Sequence, residues 1–253
     1  MNLSKYKQGF TIVELLIVIV VIGILAAITI VAFNGVTEKA RVAAAKSYAS
    51  QVKHRDLGEA QGYWNFDECT GTSLANTGGS ASTNSDTVTG TTTFSNDTPT
   101  GSGCSLSLNG SSSIAISSGL SNTYYEKTLW FKTSSANSSM NFISDRTGGS
   151  QSAFYLSNGK VSGGHNGSWS DVMSTNTYND GKWHFASLEF KVNGSGSDGT
   201  LILSVDGSVV ASKTNATLMT TSPNLYGNAQ SIGAFNSSSY FVGLIDDVMV
   251  VVK

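Results

Sequence analysis

Charge is scarce in this chain. Lys, Arg, Asp and Glu make up 13% of its 253 residues, about half the share of an ordinary soluble domain. Proline occurs twice and histidine three times. The histidines, His54, His165 and His184, are scattered and no Cys-x-x-Cys pair exists, which excludes a structural zinc site. Only three glutamates lie beyond residue 60, Glu68, Glu126 and Glu189, each isolated in the sequence. Glycoside hydrolysis needs two positioned carboxylates, and no serine sits in a nucleophile-elbow context, so no enzyme is expected. The net charge of −2 argues against a dedicated nucleic-acid binder. There are two cysteines, Cys69 and Cys104. In an exported protein they read as one disulfide, closing a loop worth roughly 3–4 kcal/mol; the other reading is two buried thiols.

What is present falls into two parts. Residues 1–9, MNLSKYKQG, are short, polar and basic. Residues 10–33, FTIVELLIVIVVIGILAAITIVAF, are almost wholly apolar. As a helix they would span about 36 Å, enough to cross a bilayer. Lys5 and Lys7 would hold the N-terminus on the cytoplasmic side. One carboxylate, Glu14, interrupts the run, at a cost of roughly 2.5–3.5 kcal/mol on the insertion scale. A secretory signal peptide cut near Ala27 and a plain anchor are the other readings. The run is long for the first, and the second leaves Glu14 unexplained.

From Val36 to Glu59 the chain is rich in Ala, Lys, Arg and Glu, and extends the helix. Apolar residues recur at Val36, Ala40, Ala43/Ala44, Ser47/Tyr48, Val52 and Leu57. The cations Lys39, Arg41, Lys46, Lys53 and Arg55 read as a solvated face rather than a DNA-binding one. Asn34-Gly35 is the point where the helix would loosen. After Gly62 come short alternating runs separated by Gly, Ser, Asn and Asp. SNGK at 157–160 and VDGS at 205–208 are strong hairpin turns. Residues 70–103 read as long surface loops. Trp64, Trp130 and Trp183 read as core. The fold class is therefore α+β: a long N-terminal α-helix, half transmembrane and half amphipathic, followed by an all-β jelly-roll sandwich.

The stretch Lys7-Gln8-Gly9-Phe10-Thr11-Ile12-Val13-Glu14-Leu15 resembles the class III signal peptide of the type IV pilin family. That resemblance divides the chain into a leader at 1–9, a pilin helix at 10–60 with a filament core at 10–33, and a head at 61–253. It implies that a prepilin peptidase cuts after Gly9 and methylates Phe10. It also implies a homo-oligomeric helical filament, built by an assembly platform and motor. Glu14 would attract the α-ammonium of Phe10 on a neighbouring subunit, so that an isolated liability becomes a registry device. The proline common in such helices is missing from Ile30-Val31-Ala32, which implies less helix melting on assembly. Before assembly the chain would be single-pass in the bacterial cytoplasmic membrane; afterwards it would lie in an extracellular pilus.

The head resembles the laminin-G-like, concanavalin A-like jelly rolls in YWNFDE (63–68), SLSLNG (105–110), NDGKWHF (179–185), LSVDG (203–207) and GLIDDVMV (243–250). The Glu-x-Asp-x-x-Glu strand motif of jelly-roll glucanases is absent. The resemblance implies carbohydrate binding and cell adhesion, to a glycan or host surface. Trp169, among Gly, Asn and Ser, is the candidate exposed aromatic. With His165, Asn166, Asp171 and Tyr178 it would make a sugar-stacking surface. No cofactor is required. Calcium is the ion the resemblance allows, with Asp67, Glu68, Asp246 and Asp247 as ligands if the first and last strands pair. The expected function is a pilus subunit displaying a lectin-like head. Two alternatives stay open: a minor pseudopilin of a type II secretion or DNA-uptake system, separated by copy number, and a membrane-anchored carbohydrate-active enzyme.

Overall fold

The computed structural model describes residues 9–79, 86–116, 124–145, 152–194, 196–218, 230–235 and 238–253. Helix α1 runs Ile12–Asp56, followed by a single 3-10 turn, Leu57–Glu59. The chain divides between Ala43 and Ala44 into two compact units. The last turns of the helix therefore count with the head.

The first unit is helical from Ile12 onward. Its start carries a signal that the sequence reading passed over. Thr11 donates from its backbone N–H and its hydroxyl to Glu14 Oε2, both at 2.8 Å, and the Glu14 N–H returns a 3.2 Å bond to Thr11 Oγ1. This is a capping box, Thr-x-x-Glu, which satisfies donors that the first turn would otherwise leave free. Glu14 thus has a local partner before any neighbour arrives. Ile12–Thr29 is long and apolar enough to cross a membrane, and none of it is buried within the chain.

The second unit is an antiparallel β-sandwich. Its strands are β1 (Ala60–Trp64), β2 (Ser73–Leu74), β3 (Asp86–Thr89), β4 (Thr93–Ser95), β5 (Ser105–Asn109), β6 (Ser113–Ile116), β7 (Tyr124–Lys132), β8 (Ser139–Asn141), β9 (Ile143–Asp145), β10 (Phe154–Ser157), β11 (Lys160–Gly163), β12 (Val172–Met173), β13 (Trp183–Val192), β14 (Asp198–Val205), β15 (Ser208–Thr217), β16 (Gln230–Ile232) and β17 (Val242–Val252). The large sheet runs β15-β14-β13-β7-β17-β5-β4, with β1 also paired to β17. Two smaller sheets, β12-β11-β10-β8 and β2-β3-β6-β16-β9, contribute with it to one hydrophobic core. Residues 70–103 are not all loop: β2, β3 and β4 lie there, short and poor in apolar residues. The sequence predicts a first strand over 62–68; it stops at Trp64, because Phe66 and Cys69 adopt positive φ, 56° each, and turn the chain. Cys69 and Cys104 form the disulfide.

Strands β7 and β13 alternate, yet both of their faces are buried. On the inner face Tyr125, Leu129, Phe131, Ala186, Leu188 and Phe190 fill the sandwich core. On the outer face Trp130 and Phe185 pack on Ala45, Tyr48 and Ala49 of the helix. Val52 joins Ala60, Tyr63, Met249 and Val251 in a second cluster. The stripe used is therefore Ala45, Tyr48, Ala49 and Val52, at i, i+3, i+4, i+7 spacing. Tyr48 and Val52 were on the expected stripe; Ala45 replaces Ala43/Ala44. The expected solvated cations also divide. Lys46 is exposed, whereas Lys53 bonds Tyr63 and Arg55 bonds Glu126 and Asp56. Trp64 and Trp130 are core, 1% and 2% exposed; Trp183 is only half-buried and donates its Nε1–H to Asp97 Oδ1 at 2.8 Å.

Candidate functional site

The residues expected to form a sugar surface lie in the segment joining β11 to β12 and beyond. Asn166 and Gly167 turn it through positive φ, 48° and 89°. At Gly164 a side-chain carbon would sit 2.0 Å from the Ser168 carbonyl oxygen, so only glycine lets the loop fold back this closely.

That folding buries His165 and half-buries Asn166, Asp171 and Tyr178. His165 is 4% exposed and stacks on Phe190, with ring centroids 4.0 Å apart. Its Nε2 lies 3.0 Å from the Thr217 carbonyl, which can only accept, so Nε2 carries the proton. Nδ1 then accepts from the Tyr125 hydroxyl at 2.8 Å. Burial pushes the His165 pKa down to about 4, so the ring is neutral. Asp171 Oδ2 accepts the His165 N–H at 2.8 Å, and Oδ1 accepts from Lys213 at 2.5 Å. Asn166 donates to the Leu218 carbonyl at 3.2 Å. Tyr178 lies edge-on to His184, centroids 5.0 Å apart. Four of the five expected residues thus pin loops to the sandwich. The polar composition of SGGHNGSWSDV suggested exposure, but these polar groups are satisfied internally.

Trp169 is different. It is 43% exposed, with Phe235 edge-on at 4.4 Å and Tyr155 at 6.0 Å. Met173, beside them on β12, is 39% exposed. Strand pairing puts Asn141, Tyr155, Ser162 and Met173 in one cross-strand row. Tyr155, Phe235 and Met173 were missed by the sequence reading. The signal for Tyr155 was available: in FYLS it alternates with buried Phe154 and Leu156, and the SNGK turn fixes its register. The result is an open aromatic platform bordered by Ser162 and Ser170, whose hydroxyls lie 3.0 Å apart. It offers ring faces and edges to an apolar ligand surface such as the CH face of a sugar.

The four acids named for calcium divide between tasks. Asp67 accepts from the Cys104 N–H at 3.1 Å and from Asn65 at 2.8 Å, and Glu68 from the Ala75 N–H at 2.8 Å. Asp246 accepts the Asp247 N–H at 2.8 Å, and Asp247 holds Tyr63 and Lys53. First and last strands do pair, Trp64 opposite Val248. Among the described residues, however, no three acid, histidine or cysteine groups converge as a metal site.

Asp246 is instead a buried acid, 5% exposed at a bulge of β17. Burial, then the Asp247 carboxylate, push its pKa up to about 8. A carboxyl whose folded pKa is raised stabilises fully below its ordinary value near 4 and loses that contribution as pH rises through 8. We predict that the head's thermal midpoint falls between pH 5 and pH 9. Asp246→Asn keeps the acceptor oxygen and removes the charge, so it should flatten that fall, gaining up to a few kcal/mol at the alkaline end. An unchanged slope in the variant would rule this assignment out.

The carboxylates isolated in the sequence also meet. Glu126 on β7 lies opposite Glu189 on β13. This pair is no open catalytic cleft: Glu126 is 1% exposed and covered by Arg55 and the Tyr124 hydroxyl at 2.9 Å.

Comparison with known proteins places both parts. Residues 4–30 match the prokaryotic N-terminal methylation motif, and residues 108–252, more than half of the chain, match the concanavalin A-like lectin/glucanases superfamily. Domain 4 of AbnA, an extracellular arabinanase from Geobacillus stearothermophilus solved with arabinotriose, superposes with a TM-score of 0.55 at 20% identity, over 76% of this chain and 92% of that one. The binding domain of botulinum neurotoxin DC, solved with SialylT, gives 0.53 at 11% identity, and the type G receptor-binding domain 0.52 at 12%. In each toxin case 76% of this chain is covered, and it spans about half the toxin domain. These likenesses describe the fold. The chain belongs to the concanavalin A-like lectin/glucanase superfamily, and it joins that sandwich to a class III N-terminal methylation signal, as a type IV pilin-like protein.

Proposed function

We propose that this protein is a filament subunit whose head adheres to glycans. The observation that carries the reading is the pairing of two surfaces left open by the fold. One is the apolar helix Ile12–Thr29, unburied and preceded by the methylation motif. The other is the Trp169 platform on a lectin-like sandwich.

Prepilin peptidase cuts after Gly9, and the helix anchors the chain in the cytoplasmic membrane until assembly. The apolar surface then packs against neighbouring helices, and the head is carried outside the cell. On this reading the head binds and does not catalyse. The presence of arabinotriose on the arabinanase domain lends support to a saccharide as the ligand class.

A glycan array with the full-length protein tests the adhesive part. Trp169→Ala should lower binding about tenfold or more, since stacking aromatics are worth about 1 kcal/mol beyond the area they bury. Its thermal midpoint should hardly move, because the ring is nearly half exposed. Uniform lack of binding by the unaltered protein, or equal binding by the variant, would overturn the assignment.

A further inference from the structure

The head has a second opening, on the outer face of the large sheet, where helical residues 44–56 cross it. A cavity of about 320 Å³ lies there, at the small end of ligand-binding pockets. Its floor is apolar: Trp130 and Phe185 from the sheet and Ala49 from the helix. Its rim is polar and has two unlike ends. At one end Lys53 sits over the Tyr63 ring, 4.4 Å from the centroid, and 3.5 Å from Asp247. That cation is already matched. At the other end stands Lys46, exposed and two helical turns away, about 10 Å along the axis. Among the described residues Lys46 makes no hydrogen bond or ion pair. Ser50 and Thr100, both exposed, border the opening.

We infer that this crevice is a binding site for a small sugar acid, one ring or two with a single carboxylate, such as a uronic acid. Each part of the lining answers one part of such a ligand. Lys46 takes the carboxylate. The Ser50 hydroxyl and the Asp247 carboxylate take the ring hydroxyls, which both donate and accept, while Thr100, bonded to Ser102, only walls the mouth. Half-buried Ala49 takes the ring's CH face, above Trp130 and Phe185, which are buried beneath it. A neutral sugar leaves Lys46 unmatched, and a ligand with a second carboxylate brings it against Asp247. The length of the crevice admits a mono- or disaccharide and not an extended chain. The site is separate from the Trp169 platform, so either one can fail without the other.

Saturation-transfer NMR on the full-length protein in detergent micelles tests the assignment, with glucuronic acid as probe and glucose as neutral control. Glucuronic acid should bind in the millimolar range or tighter, and glucose about tenfold more weakly. Lys46→Gln should remove that preference for the acid. Ser50→Trp should block both sugars by filling the mouth. Both positions are exposed, so the fold and Trp169-dependent glycan binding should be retained. No glucuronic acid signal with the unaltered protein, or the same signal with both variants, would overturn the proposal.

Discussion

Replacing Glu14 with glutamine is expected to stop filament assembly while leaving the helix intact. The capping box separates the two roles. The amide oxygen of glutamine still accepts from Thr11, so the first turn keeps its cap. What is lost is the negative charge proposed to meet the Phe10 ammonium of the next subunit. In an apolar filament core a lone ammonium is costly, and breaking a buried pair is strongly destabilising. Repeated along a filament, that loss exceeds what one contact can bear. Sheared surface material from cells carrying the variant should contain no filament, while the membrane fraction retains processed, folded protein. Filaments at normal yield would remove Glu14 from assembly and leave it as a helix cap alone.

A second large effect is expected at Arg55. Its guanidinium contacts two acids taken out of water, Glu126 and Asp56, which are 1% and 0% exposed. Asp56 has further support from Lys253 at 2.9 Å. Glu126 has the Tyr124 hydroxyl, and its other oxygen, Oε1, has no hydrogen-bond partner among the described residues. Burial raises the Glu126 pKa to about 7, against the pull of Arg55. Arg55→Ala should therefore cost roughly 2–4 kcal/mol at pH 8, somewhat under the usual figure for a broken buried pair because Arg55 is half exposed. That corresponds to a fall in thermal midpoint of roughly 5–10 °C. With the cation gone the Glu126 pKa rises further, so the loss should be smaller at pH 5, where the carboxyl is protonated. Arg55→Ala/Glu126→Gln should recover part of it. A pH-independent loss, or none, would show that the helix end is held by packing alone.

The sequence made local features legible and left distant meetings hidden. The SNGK and VDGS turns are as expected: Asn158, Gly159, Asp206 and Gly207 all take positive φ, and Ser157–Lys160 and Val205–Ser208 close the hairpins. Two-residue turns write their geometry into residue type. The exposure of Trp169 was legible for the same reason, since it lies in a glycine- and serine-rich loop. The fate of His165 in that loop was not. Its partners, Tyr125 and Thr217, are 40 and 52 residues away, and nothing local marks them. The same holds for Glu126, which needs Arg55 from the helix and Glu189 from a neighbouring strand. The alternation of β7 and β13 showed two faces, but an apolar outer face with Trp130 and Phe185 makes sense only once a helix covers it.

The central claim is that the chain is processed at Gly9 and assembled outside the cell through its apolar helix. Mass spectrometry of the N-terminal peptide in sheared surface material tests it most directly. The expected peptide begins at N-methylated Phe10. A peptide beginning at Met1, or a cut near Ala27, would contradict it and leave an anchored or secreted lectin-like domain.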